Sequence, residues 1–340
     1  SLFLSQFSNH PLSLSMCKYS STCCTRLIMA VAFVLGSSFY MAERMHDVWF
    51  LDQAFPFHGQ DMFNTKVGDT VRLPIIYLDG SLVGAFYLVD PKVAQSLLPK
   101  SMEPLTLPWP ISKAIAGVFM FEYRNTSLGS YDEAGLTIQA KKLGSSVGLV
   151  HFMCDMIANM YHVDMLLSLC GESNDTGLYV STLPVTTSEA KDAGKEIWGY
   201  NKYVSTIKTN FEESTFMTFK VGSEFTFELD SNGGSFLPTF TTAGLPFLTY
   251  TEHSDLGSSS SDSSDSDSSD SSRKSEKKIM RTKVHVGHKN IWGGASKLEI
   301  IGKGPTANRM KQLKLDTLSP VAVFRTDKLL AHLPRGVYVE

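Results

Sequence analysis

The stretch 189–208, which reads EAKDAGKEIWGYNKYVSTIK, places a lysine where it could do chemistry. Lys202 follows a turn that contains Trp198, Gly199 and Tyr200. An amine beside aromatic side chains loses hydration, which favours its neutral form. A neutral amine can attack a carbonyl carbon and form a Schiff base, whose iminium then withdraws electrons from a neighbouring bond. The residues alone therefore suggest that Lys202 is a nucleophile. The alternative is that Lys202 is an ordinary surface lysine.

Three ordered blocks carry a resemblance to a known family. The block 194–203 reads GKEIWGYNKY, 126–136 reads TSLGSYDEAGL, and 291–300 reads IWGGASKLEI. The first is close to the pattern G-R-E-x-x-G-[YF]-P-K-K, and the third to W-x-G-x-x-[RK]-L-x-[LI]. Together the blocks resemble the acetoacetate decarboxylase family over roughly 67–340.

The resemblance implies that Lys202 is the Schiff-base lysine and that Glu133 is a carboxyl group of the pocket. In that family a second lysine follows the first, and its charge is a known activator of the nucleophile. This chain has Tyr203 at that position, so Lys202 must be activated by burial or by another group. The other side chains expected in or beside the pocket, with plain packing as the alternative, are Glu196, Trp198, Tyr200 and Tyr203.

Two further departures concern the substrate. Phe119 stands where the family has a second pocket glutamate, and Gly80 aligns with an arginine that can hold a substrate carboxylate. Arg72 or Arg124 could substitute for it, although their spacing gives little support. We therefore expect a Schiff-base-forming lyase that acts on a small keto acid or related carbonyl compound, by decarboxylation or by aldol or dehydration chemistry, without a cofactor. The alternative is a carbonyl-binding protein that has lost catalysis.

A second hypothesis, that the protein is a serine hydrolase, depends on Ser146. Gly144-Ser-Ser146-Val-Gly148 matches G-x-S-x-G, between a strand-like segment and a helical one. This is the setting of a nucleophile elbow in a serine hydrolase, for which Asp164 and His288 could complete a triad. Against it, the chain lacks the alternating strands and helices of a hydrolase fold.

The segments around these residues predict a fold that is α+β but mostly β. The resemblance implies a closed or half-closed antiparallel β-barrel with peripheral helices. The alternating run 71–89 contains an Asp79-Gly80 dipeptide and predicts a hairpin, and Asp90-Pro91 predicts the start of a short helix. Further predicted strands are AGVFMFEYR, GLTIQAKK, TFMTFKV, EFTFELD, MRTKVHVGH and ASKLEIIG.

The ends and insertions predict the domain organisation. Within residues 16–42, basic side chains precede a short apolar run over 27–42 that includes small residues. This order is typical of a secretory signal peptide. We expect a leader over 1–42, with a buried helix as the alternative, a linker over 43–66 and one domain over 67–340. If residues 16–42 act as a signal, the protein would enter the secretory pathway or be anchored to a membrane through 27–42. Otherwise it would be cytoplasmic. Two insertions interrupt the domain, an apolar helix about 147–170 and a disordered Ser/Asp-rich tract over 257–278.

The composition limits the partners. The 340 residues carry a net charge of −3, without the basic footprint of a nucleic-acid-binding protein. The histidines and cysteines show no spacing that favours a metal site. The expected partner is a small keto acid or carbonyl substrate, and the resemblance implies a homo-oligomer.

Overall fold

The computed structural model describes residues 61–146, 175–211, 216–230, 240–254 and 277–339. The predicted leader over 1–42, the predicted helical insertion about 147–170 and nearly all of the predicted Ser/Asp-rich insertion lie outside these ranges. Within them, none of the helices has the length and apolar character needed to cross a bilayer.

Strands dominate the described residues. They are β1 (Asp61–Asn64), β2 (Thr70–Leu73), β3 (Ile75–Val89), β4 (Met102–Pro104), β5 (Ala114–Thr126), β6 (Tyr131–Lys142), β7 (Thr176–Val185), β8 (Lys202–Val204), β9 (Ile207–Thr209), β10 (Phe216–Val221), β11 (Phe225–Asp230), β12 (Phe240–Ser254), β13 (Lys277–Gly293), β14 (Ala295–Ile300), β15 (Ala322–Thr326), β16 (Lys328–Leu333) and β17 (Val337–Val339). The helices are α1 (Pro91–Ser96), α2 (Ser188–Trp198), α3 (Pro305–Gln312) and a 3-10 turn over Leu315–Thr317.

The largest sheet curls on itself. Its strands follow the order β4-β6-β5-β3-β15-β13-β12-β7-β8, and β6 also pairs with β7. This extra pairing joins the two arms of the sheet, so that β6, β5, β3, β15, β13, β12 and β7 form one circuit. The mostly β, barrel-like fold with peripheral helices is therefore confirmed.

Two strand pairs depart from the antiparallel pattern. β7 pairs in parallel with β12 and with β8. The pair β7–β8 needs a crossover, because parallel neighbours cannot be joined by a tight turn. Helix α2 supplies that crossover, and β8 begins at Lys202.

A smaller sheet packs against one face of the large one. It has the order β14-β11-β10-β9. Alternate side chains of β10 and β11 are fully buried, as the period of two requires for a strand that covers a core. Phe219, Phe225 and Phe227 join the core that also contains Leu136 and Val118 of the large sheet. The opposite face of the large sheet carries a second core, to which α2 contributes Trp198.

The predicted hairpin at Asp79-Gly80 is wrong. β3 runs through that dipeptide without a turn, and the register against β5 is only irregular between Tyr77 and Gly80. A hairpin does form earlier, between β1 and β2. The Asp-Gly pair marks a bulge because β3 changes partner there, from β16 on its first part to β15 on its second.

Three further predictions from local sequence patterns can be compared with the structure. Asp90 accepts hydrogen bonds from the backbone of Lys92 and Val93, with Pro91 at the first position of α1, so the predicted helix start is confirmed. The predicted linker over 43–66 is wrong at its end, because β1 lies within it and Phe63 packs against the core. The strands predicted on either side of Gly293-Gly294 form, but β13 belongs to the large sheet and β14 to the small one.

Asp132 makes stability depend on pH. It lies directly opposite Glu122 on the neighbouring strand, and burial, followed by the charge of Glu122, raises the pKa of Asp132 to about 6. The folded state therefore holds this proton more tightly than the unfolded chain, and stability is lost as the pH rises through about 6. Asp132→Asn should raise the melting temperature at about pH 8 and have little effect at about pH 4. A gain of equal size at both pH values would contradict this assignment.

Candidate functional site

The end of α2 sets the position of Lys202. Thr187 caps the start of the helix, and Gly199 ends it in the left-handed region at φ 69°. The backbone N–H of Gly199 donates to Lys195 O, the bond of a left-handed helix ending, and that of Tyr200 donates to Gly194 O. A side chain at position 199 would be strained by this φ and would also collide with His253. The predicted glycine-bearing turn is confirmed, and it delivers the chain into β8 with Lys202 as the first residue.

Lys202 and Glu133 meet in the interior. Lys202 pairs with Leu183 on β7, and Glu133 pairs with Val185, two residues further along the same strand. Lys202 Nζ lies 2.5 Å from Glu133 Oε2. The two side chains are only 5% and 9% exposed. The structure thus brings together the two residues that the sequence offered as nucleophile and pocket carboxyl group.

Two aromatic rings flank the amine. Lys202 Nζ lies 5.7 Å from the ring centre of Tyr131 and 5.9 Å from that of Tyr200. The Tyr200 hydroxyl is 2.9 Å from Thr249 Oγ1, which fixes the ring. A cation at this distance from a ring is stabilised by about 0.5 to 2 kcal/mol, more where water is excluded. The surroundings of the nitrogen therefore suit a positive charge.

A cluster of tyrosines extends this wall. The Tyr77 and Tyr131 hydroxyls are 3.1 Å apart, and the Tyr123 ring centre lies 4.6 Å from that of Tyr77 and 4.9 Å from that of Tyr131. Burial raises the pKa of Tyr77 and of Tyr123, and the negative charge of Glu133 raises both further. These hydroxyls consequently stay neutral and keep their protons for hydrogen bonding.

Helix α2 also shapes the path of the lysine side chain. Gly194 faces the stem of Lys202, and an added Cβ would overlap Lys202 Cδ and lie 2.6 Å from Cε. The absence of a side chain at position 194 is therefore what allows the stem of Lys202 to pass the helix and reach Glu133.

Tyr203 points away from the amine. Its hydroxyl donates to Glu224 Oε1 at 2.6 Å and is 2.7 Å from Thr306 Oγ1. The other oxygen of Glu224 accepts from the backbone of Thr306 and Ala307, in the first turn of α3. Burial, followed by the hydrogen bond to Glu224, raises the pKa of Tyr203. The residue that replaces the family's second lysine thus anchors β8 to α3 from the side opposite Glu133.

The other predicted pocket residues differ in whether they lie on the same side of the sheet as Lys202. Trp198 is buried and donates to Pro334 O at 2.7 Å, and Phe119 is buried among Phe86 and Phe324. Both pack in the core on the side of Lys202. Glu196 is not brought to the amine, because its carboxylate accepts from the backbone of Lys66 at 2.8 Å.

The two candidate arginines have other surroundings. Arg72 is exposed on β2. Arg124 makes a two-pronged bond to Asp79, with N–O distances of 2.8 and 2.9 Å, and a further one to Glu122. Neither is brought to Lys202 by any contact among the described residues.

The hydrolase interpretation gains no support from the fold. Ser146 is exposed beyond the end of β6, while a nucleophile elbow belongs to an α/β-hydrolase sheet. Asp164 lies outside the described residues, as does the side chain of His288. Within the described ranges, no group of three or more His, Cys, Asp or Glu side chains is arranged to hold a metal ion.

A comparison with family models decides the membership. The model for acetoacetate decarboxylase (ADC) matches residues 63–327, which is more than half of the chain. The chain belongs to the acetoacetate decarboxylase family. A comparison with curated protein sequences found no match.

Solved structures of the acetoacetate decarboxylase family share the fold. The acetoacetate decarboxylase of Legionella pneumophila subsp. pneumophila str. Philadelphia 1 is 14% identical, with a TM-score of 0.53 over 85% of this chain and 95% of that one. A second structure, described as acetoacetate decarboxylase, is also 14% identical, with a TM-score of 0.52 over 79% of this chain and 90% of that one. At such identity these likenesses show the fold alone.

Sequence reasoning missed Tyr77, Tyr123, Tyr131 and Gly194. Tyr131 was missed because the predicted strand GLTIQAKK begins only at Gly135, whereas β6 begins at Tyr131 and so places Tyr131 and Glu133 on the same face. Gly194 belongs to the family pattern but does not reveal from sequence which side chain needs the space. Tyr77 and Tyr123 became neighbours of the site only through the pairing of β3 with β5.

Gly194→Ala tests the positioning of Lys202. The new methyl group must displace the lysine stem, because the neighbouring atom is Lys202 Cδ rather than solvent. We expect the variant to fold and to lose about tenfold or more of the reactivity of Lys202 towards a carbonyl compound under borohydride reduction. Lys195→Ala, at the exposed position that follows Gly194 on the same helix, is the control for a change in α2. Unchanged reactivity in Gly194→Ala would show that the stem has another path.

Proposed function

We propose that this protein is a Schiff-base-forming lyase that acts on a small keto acid or related carbonyl compound. The observation that carries the proposal is the buried contact of 2.5 Å between Lys202 Nζ and Glu133 Oε2. A lysine and a carboxyl group in direct contact can exchange a proton, as general acid–base catalysis at a carbonyl compound requires.

The first step needs a neutral amine. Transfer of one proton from the Lys202 ammonium to Glu133 leaves an amine and a carboxylic acid, with no net charge created. The amine attacks the carbonyl carbon, and its proton passes to the carbonyl oxygen to give a carbinolamine. Glu133 then donates its proton to the departing hydroxyl group, so that water leaves and a protonated imine forms on Lys202.

The protonated imine is stabilised by the groups already around Nζ. Glu133 is again a carboxylate and faces the cation, and the rings of Tyr131 and Tyr200 lie within 6 Å of the original nitrogen. The positive nitrogen accepts the electron pair of a bond one carbon removed from the imine carbon. That bond is broken by decarboxylation or by aldol-type cleavage to give an enamine. The α carbon of the enamine takes up a proton, which restores the protonated imine, and water then hydrolyses it and releases the product from Lys202.

Reductive trapping tests the proposal. Incubation of the full chain with a small ketone and sodium borohydride should reduce the imine to a stable secondary amine, detected as added mass on the peptide that contains Lys202. Lys202→Arg keeps the charge but should lose the adduct, because a guanidinium does not form a Schiff base under these conditions. Lys208→Arg, on the exposed side of β9, is the matched control and should retain it.

Two results would contradict the proposal. An adduct that persists in Lys202→Arg would place the reactive amine elsewhere. The absence of any adduct, together with a rise in melting temperature on addition of the ketone, would instead support the alternative of a carbonyl-binding protein without catalysis.

A further inference from the structure

The side chains around Lys202 form a defined patch of the large sheet. Cross-strand pairing places them on one face, and we call them the lysine patch: Leu82, Phe119, Phe121, Tyr123, Tyr131, Glu133, Leu183, Val185 and Lys202. Lys202 and Glu133 are its charged members, and they already pair with one another. The remaining members are apolar or aromatic. Among the described side chains of these strands, a ligand on Lys202 would therefore meet hydrocarbon, ring faces and the carboxylate of Glu133.

At the edge of the lysine patch, the position where a basic side chain could bind a ligand carboxylate is blocked by neighbouring atoms. Gly80 pairs with Tyr123 and so faces the patch, but a Cβ there would lie 2.9 Å from Glu122 O and 3.3 Å from the Tyr123 ring. Arg124, the next residue after Tyr123, is bound to Asp79 instead. On β6 the first basic residue beyond Glu133 is Lys141, roughly 27 Å further along the strand and paired with Glu103.

A carboxylate on the ligand would be unfavourable at this patch. It would lose its hydration on burial, and it would lie close to the carboxylate of Glu133, which disfavours a second negative charge. The tyrosine hydroxyls already experience the field of Glu133, which contributes to the raised pKa of Tyr77 and of Tyr123. An uncharged ligand neither loses the hydration of a charge nor is repelled by Glu133, and it can still accept a hydrogen bond from a neutral tyrosine.

We infer that the substrate is an uncharged ketone or aldehyde with an apolar or aromatic body, not a keto acid. This inference rests on the proposed function, since it requires Lys202 as the nucleophile. Because an uncharged compound has no carboxylate to lose as carbon dioxide, the bond that is cleaved or formed is of the aldol type.

The aldol-type step balances with the groups present. With the protonated imine of a β-hydroxy ketone on Lys202, the Glu133 carboxylate takes the proton of the β-hydroxyl group. The bond between the α and β carbons breaks, its electron pair forms an enamine with the nitrogen, and the β carbon leaves as an aldehyde. Glu133 returns the proton to the α carbon, and water hydrolyses the resulting imine to a ketone and free Lys202.

A pair of compounds that differ in charge separates the two substrate classes. Methyl acetoacetate is uncharged, and acetoacetate is its anionic counterpart with nearly the same shape. Each is incubated with the full chain and borohydride, and the adduct on Lys202 is quantified by peptide mass. Yields are divided by those of Nα-acetyl-lysine under the same conditions, which removes the intrinsic difference in reactivity. We expect the ester to give about tenfold more adduct or better.

Each outcome has one meaning. Equal or greater trapping of acetoacetate, or an adduct with the mass expected after loss of carbon dioxide, would overturn the inference and leave Lys202 as the nucleophile. Absence of an adduct on Lys202 with both compounds and with 4-phenyl-2-butanone would contradict the proposed function itself.

A variant tests the physical cause of the preference. Glu133→Gln removes the negative charge from the lysine patch while keeping the size of the side chain. Total trapping should fall, because Glu133 also transfers protons, but the ratio of ester adduct to acetoacetate adduct should fall towards one. A merely structural role of Glu133 would lower both yields without changing that ratio, and this result would contradict the electrostatic explanation.

Discussion

The contact between Lys202 and Glu133 is the interaction on which the site depends. Removing an ammonium and a carboxylate from water costs several kcal/mol for each, and their attraction offsets this only with good geometry and further support. Here the nitrogen and oxygen are 2.5 Å apart, and the rings of Tyr131 and Tyr200 flank the nitrogen. Such a pair is weak evidence for stability but useful for proton transfer, because the two groups are buried and in direct contact.

Much of the surrounding architecture follows from placing that pair. The parallel pairing of β7 with β8 requires a crossover, and α2 provides it while leaving room for the lysine stem at Gly194. The alternation of β8 then separates two tasks on adjacent residues. Lys202 reaches Glu133, while Tyr203 is tied through Glu224 to the start of α3 on the other side. A strand of three residues is thereby held from both faces.

Sequence patterns anticipated the part of this picture that is local. Lys202 and Glu133 were found through short motifs, and their contact was an expectation of the resemblance that the geometry agrees with. The cap at Asp90 and the strands of β10 and β11 follow from spacing alone. The Asp79-Gly80 dipeptide misled, because the same two residues suit a hairpin and a bulge, and only the change of partner strands decides between them.

What the sequence could not provide is long-range. Glu224 and Thr306 are 82 residues apart, and Lys202 and Glu133 are 69 apart, so their contacts depend on pairings that no local pattern contains. The direction of Tyr203 was within reach, since adjacent strand residues face opposite sides. Its partners were not, because α3 and the turn before β11 meet only in the folded sheet.

A double-mutant cycle on the unfolding free energy tests the central claim most directly. Lys202→Met and Glu133→Gln each leave one buried group without its partner, and we expect each to lose about 3 kcal/mol or more in urea unfolding. The double variant should lose clearly less than the sum, because it removes the unpaired charge as well as the pair. Additive losses would contradict the account, since they would mean that Lys202 and Glu133 do not stabilise one another in the folded protein.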